Sequence, residues 1–164
     1  MISENGWEVI TDQSSPKLKV IRLAKSRIPL RLRKEIAPIL AHVAYRVDTE
    51  VALLRIKNKP GFQDEGGWNY RKIDGSTKIS NHASGTAIDL NWQSWIQFKK
   101  AMTTKQRAAA QDIADDLAEV VRWGGNYTPS RLDEMHWEIR PGVSLAEAKK
   151  FIKDHDINED GTIG

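Results

Sequence analysis

Apolar residues recur along this chain with two different periods. Between Leu30 and Val47, the side chains Leu32, Ile36, Leu40, Val43 and Val47 fall at helical spacing, and Pro38 places a helix start or kink near its own position. "TAIDLNW", residues 86–92, alternates instead: Thr86, Ile88 and Leu90 share one face, and Ala87, Asp89 and Asn91 share the other. That pattern predicts a half-buried strand with a carboxylate on its less apolar side. Next comes "TTKQ", a capping box with Thr103 as N-cap and Gln106 reaching back. Ile113, Leu117, Val120 and Val121 supply the apolar stripe of the helix it opens, and Gly124 is the expected stop. "MHWEIR", residues 135–140, alternates again, with Met135, Trp137 and Ile139 opposite His136, Glu138 and Arg140. Pro141 and Gly142 end it. Ser144 and Glu147 then cap a short closing helix. Between the first helix and the first strand lies a polar, glycine-rich loop over residues 58–80, a length that is often functional in small domains. Strands and helices mix without regular βαβ alternation, so the expected class is α+β, a small antiparallel sheet flanked by helices.

Length and composition narrow this picture. The chain has 164 residues, which suits one domain, expected over 1–153 and followed by a polar tail or linker over 154–164. It has no cysteine, so any metal site must use His, Asp or Glu. The net charge of +3 is too small to argue for nucleic acid. Residues 15–34 are rich in Lys and Arg and contain no acid, which reads as a solvated surface with an anionic wall as the rival partner. No apolar run is long enough for a signal or a membrane span, so a soluble, cytoplasmically made monomer is expected.

The chemistry concentrates on the two strands. Asp89 and His136 stand on their less apolar faces, and pairing of the strands would bring them together. His82 precedes the first strand, and Gly85 lets the chain turn so that His82 folds back towards Asp89. A His, Asp, His set leaves one position open, as a catalytic zinc requires. Asp133, Glu134 and Glu138 are the nearby candidates for a base.

The strings "SNHASGTAIDL" and "LDEMHW" give the pattern S-x-H-x-x-G-x-A-x-D with a later D-x-x-H-W. This resembles the M15 zinc peptidases, the D-alanyl-D-alanine carboxypeptidase and dipeptidase group, over roughly residues 30–140. "NYRKIDGSTKISNHASGTAIDLN" and "RWGGNYTPSRLDEMHWE" are similar to the phage endolysin branch, L-alanyl-D-glutamate endopeptidases of the peptidoglycan stem. The resemblance implies the fold shared with hedgehog-type domains and one zinc ion on His82, Asp89 and His136. It implies Asp133 as general base, since that branch carries Asp three residues before the last ligand, and it leaves Glu134 as a neighbour. Arg71, in "NYRKI", matches an arginine that holds a substrate carbonyl or oxyanion. Ser80 matches a serine that contacts substrate or supports a ligand. Glu138 is expected to orient a ligand histidine. The rival functions are a D-Ala-D-Ala carboxypeptidase or dipeptidase on the same site, and a hedgehog-like zinc module without catalysis. An endolysin of this kind would reach the wall through a pore made by another protein.

Other features receive weaker expectations. His42 reads as a satisfied histidine on a helix surface, and His155 has no role. Trp95, Trp123 and Trp137 read as core or cleft wall, with Trp68 and Trp92 as minor candidates for substrate contact. Asp156, Asn158, Asp160, Gly161 and Ile163 fit the first eight positions of an EF-hand loop, but the twelfth would fall beyond Gly164, so calcium is a minor alternative.

Overall fold

A computed structural model describes residues 1–54 and 63–164; the first part of the 58–80 loop lies outside the described residues. The element order is β1 (Leu18–Arg22), β2 (Pro29–Arg33), α1 (Ala37–Arg46), β3 (Ala87–Asp89), α2 (Thr104–Asp116), β4 (Val121–Trp123), β5 (His136–Ile139) and α3 (Leu145–Asp154). β1 and β2 form a hairpin, and the other three strands form a second antiparallel sheet in the order β3-β5-β4. The class is α+β, as the mixed periodicity predicts.

Three expectations shift at their edges. The apolar run from Leu30 to Val47 divides: its helix starts at Ala37, with Pro38 in the first turn as expected, where a missing N–H costs nothing. Leu30 and Leu32 belong instead to β2 and point into the core. The helix opened by Thr103 ends at Asp116, short of Gly124. Val121 leads the three-residue strand β4, because β-branched and aromatic side chains at 121–123 fit a pleated surface beside β5. The strand predicted over 86–92 is regular only at 87–89. Both capping boxes form as read, at Thr103–Gln106 and Ser144–Glu147.

One apolar core joins these parts. α1 lies against β1, β5 and α3. Trp123 and Trp137, both buried, stack at 5.3 Å between ring centroids, and Trp95 is also buried. Burying two such rings drives β4 onto β5 through apolar area and ring contact together. The last residues fold back on α1. Ile157 pairs with Ile163, and Gly161, at φ +93°, lies so close to the backbone of Ala41 that a Cβ there would clash. His42 is accordingly buried under this turn instead of sitting on a helix surface, and its Nδ1–H donates to the Gly161 carbonyl at 2.6 Å. No helix among the described residues is long and apolar enough to cross a membrane.

Candidate metal centre and active site

Register brings the first two candidate ligands together. Asp89 pairs directly with His136 across β3 and β5. Both backbone hydrogen bonds of Asp89 run the other way, to Gly66 at 2.9 Å. Its pairing with His136 is therefore of the non-hydrogen-bonded kind, in which opposed Cα atoms lie only about 4.5 Å apart. Asp89 Oδ1 comes within 3.1 Å of His136 Nδ1.

His82 arrives by a different device. Ser80 caps a single 3-10 turn, Asn81–Ser84, its hydroxyl accepting from His82 N–H, and Gly85 closes that turn at φ +72°. A side chain at 85 would also meet the backbone of Arg33, so this position requires glycine twice over. The turn aims His82 at the strand pair, with its Nε2 3.1 Å from Asp89 Oδ2 and its ring 5.2 Å from that of His136.

The donor set fits a divalent cation. His82 Nδ1 lies 2.8 Å from the Gly67 carbonyl, which can only accept, so this nitrogen carries the hydrogen. In the neutral ring, Nε2 then has a bare lone pair. It is buried and makes no hydrogen bond, yet it faces a carboxylate oxygen. Two lone pairs so placed repel unless a cation lies between them. His136 mirrors this arrangement: Nε2 faces Glu138 Oε1 at 2.8 Å and Nδ1 faces Asp89. Among the described residues, His82, Asp89 and His136 are the one group of metal-competent side chains that converges, with ligand atoms all within 4.8 Å. The tail carboxylates form no second group, and Asp160 is taken up by Thr162, so calcium finds no support.

Charge in the site is strongly biased. Burial opposes ionisation of Asp89, but the two imidazoles outweigh it and hold the carboxyl far below the usual range. Glu138 is similarly buried, and His136, Tyr127 and Arg122 hold it at about 2. Its oxygens accept from Tyr127 Oη at 2.5 Å, Asn81 Nδ2 at 2.8 Å and Arg122 Nη2 at 3.0 Å. Tyr127, Asn81 and Arg122 were not singled out in the sequence. Their one sequence signal is proximity to the motifs, since the contacts they make span as many as 57 residues.

Asp133 behaves differently. Burial pushes its carboxyl up to about 6, and Oδ1 is buried without a partner. It enters the cleft because its own N–H donates to the Gly124 carbonyl, and Gly124 leaves room for its backbone. Glu134 points away into the protein. It accepts from Ala101 N–H, Met102 N–H and Arg107, which anchors the segment leading into α2.

A cleft of roughly 340 Å³ contains the three metal-competent residues together with Asp133, Ser80 and Arg71. Arg71 is exposed and forms no ion pair with a described residue. Trp68 and Trp92 do not line this cleft; the Trp68 indole N–H is tied to the Ile10 carbonyl.

The comparisons agree with this geometry. Residues 74–139 match a family model described as D-alanyl-D-alanine carboxypeptidase. That span includes Ser80, His82, Asp89, Asp133, His136 and Glu138, and begins three residues after Arg71. No curated protein and no solved structure matches the chain. M15 peptidases are zinc-dependent, and a paired His, Asp, His cluster is what such an enzyme must build. Over residues 74–139, the stretch that carries Ser80, the three metal-competent residues, Asp133 and Glu138, the chain is similar to the M15 peptidases, and this match supports a peptidase of that type.

Proposed function

We propose that the chain is a zinc-dependent endopeptidase that hydrolyses the L-Ala–D-Glu bond of the bacterial peptidoglycan stem, in the manner of a phage-type endolysin. The observation that carries this reading is Asp133, whose carboxyl has an unpartnered buried oxygen in the cleft that holds His82, Asp89 and His136. A binding module of the hedgehog kind has no use for such a group. The endolysin branch also places Asp, rather than Glu, at this position.

His82, Asp89 and His136 would hold the ion. Zinc, when bound, supplies a Lewis acid that polarises a carbonyl and acidifies water. Asp133 takes the proton of the attacking water and returns it to the leaving amine. Arg71 donates to the carbonyl oxygen as negative charge develops there. Ser80 fixes the turn that aims His82, with its own side chain at the cleft wall. Glu138 accepts the His136 Nε2 hydrogen and so sets the ring's tautomer and angle. The enzyme acts as a monomer and reaches the wall through a separate pore.

Glu138→Gln is expected to weaken zinc binding about 10- to 100-fold, as loss of a ligand's outer partner does. Competition with a chromophoric chelator measures it, and an unchanged affinity would remove Glu138 from this role.

The second reading, a D-Ala-D-Ala carboxypeptidase or dipeptidase, draws on the description of the matched family model. Digestion of purified peptidoglycan with zinc-loaded protein, followed by mass spectrometry, separates the readings. New N-terminal D-Glu or D-isoglutamine ends, absent with Asp133→Ala, are expected. Release of free D-Ala or D-Ala-D-Ala would establish the second reading instead.

A further inference from the structure

Two arginines flank the Tyr127 ring, with guanidinium carbons 5.1 Å (Arg122) and 5.8 Å (Arg131) from its centroid. They are used differently. Arg122 donates to buried Glu138 and belongs to the scaffold under His136. The Arg131 side chain is 60 % exposed, and its one ion-pair partner among the described residues is Glu4, at 3.7 Å. That separation is too long for a hydrogen bond. A guanidinium has five N–H donors in a flat fork suited to a carboxylate, and nothing described here engages them closely.

Both residues line the cleft and both are anchored at the backbone. Arg131 N–H donates to the Thr128 carbonyl, and Glu4 N–H to the Ile79 carbonyl. The pair is thus held loosely between fixed supports. The Tyr127 ring centroid is 6.3 Å from that of His136. By way of that ring, the Arg131 guanidinium lies no more than about 12 Å from the His136 ring, a span of about three to four residues of extended peptide.

We propose that Arg131 is a specificity residue that binds a free carboxylate of the substrate peptide, and that Glu4 occupies the arginine until substrate displaces it. On the reading given under Proposed function, which this inference deepens, the carboxylate is the one that a γ-linked D-glutamate leaves outside the peptide chain. Amidation to D-isoglutamine removes its charge. A bidentate contact with Arg131 is shorter and better aligned than the existing contact with Glu4, so exchange is favourable. The two carboxylates cannot share the fork without like-charge repulsion, and Glu4 therefore yields.

Two soluble stem peptides that differ only in D-glutamate against D-isoglutamine test this with zinc-loaded protein. The wild type is expected to favour the carboxylate peptide about tenfold in kcat/KM, mainly through KM, which is the worth of one charge-assisted contact. Arg131→Gln should bring that ratio near one. Arg131→Lys, which keeps the charge and loses the fork, should fall between. Glu4→Gln, with its competitor charge gone, should widen the preference. If the wild type cleaves both peptides equally, or Arg131→Gln keeps the wild-type ratio, the proposal fails while the endopeptidase reading stands. A wild type that cleaves neither peptide overturns both.

Discussion

Asp89→Asn is expected to empty the site of zinc and to stop hydrolysis, while the protein stays folded. The carboxylate is the shared member of the cluster, 3.1 Å from a ring nitrogen of each histidine. It also supplies the cluster's only negative charge. An asparagine keeps the size but presents a neutral amide, so the dication loses its charge partner. The metal contributes several kcal/mol of transition-state stabilisation, so the rate should fall at least ~10³-fold. Zinc per chain, measured by atomic emission after desalting, should fall from near one to below about one tenth. Stability gives an independent readout. At free zinc about 1,000 times Kd, the wild type should gain about 4 kcal/mol, or roughly 10 °C in Tm, and the variant almost nothing. A variant that keeps both its zinc and its rate would show that the ligand set is wrong.

Asp133→Asn is expected to separate binding from chemistry. Its zinc content and affinity should stay near wild type, while kcat falls ~10²- to 10⁴-fold, the usual worth of a general base. The wild-type pH profile should carry the same signature. Burial holds the Asp133 carboxyl up at about 6, and a base works only when ionised. Hydrolysis should therefore decline as pH falls through that range. A bound dication favours the ionised form, so the limb should lie at or below about 6, and a limb well above it would exclude Asp133.

Stability of the metal-free protein gives a further sign. The folded value lies above the ordinary value of 3.8, so folding prefers the neutral acid. The resulting penalty is absent below pH 3.8, grows between the two values and is complete above about 6. At neutral pH the asparagine variant should be more stable than wild type, by up to ~3 kcal/mol. Catalytic carboxyls often cost stability in this way.

The convergence of the three candidate ligands was legible because it depends on few assumptions. Two short alternating strands and one glycine turn suffice to predict that His82, Asp89 and His136 meet. That Asp133 and not Glu134 faces the cleft was expected only through family resemblance. Adjacent acids at the mouth of a strand carry no local sign of which one faces the cleft. Glu134 turns inward to cap the backbone of Ala101 and Met102, more than thirty residues away.

The β1–β2 hairpin was not legible. Its basic side chains break the alternation, and Val20 is exposed where a pattern would bury it. Leu32 also fits the helical spacing of the segment that follows. β4 was lost for a similar reason, since adjacent valines satisfy either period. The hydrogen bonds on Glu138 escaped because Tyr127 and Arg122 reach it only after β4 and β5 have paired.

The strand order β3-β5-β4 has a consequence for the timing of assembly. The central strand is the last of the three to be synthesised. Until residues 136–139 leave the ribosome, β3 and β4 have no partner between them, and His82 and Asp89 lack their third companion. The loop closures involved are long and must precede the contacts that reward them. A nascent or truncated chain that ends before β5 therefore cannot assemble the cluster of His82, Asp89 and His136. The cluster comes together in one late step, when the middle of the sheet is filled.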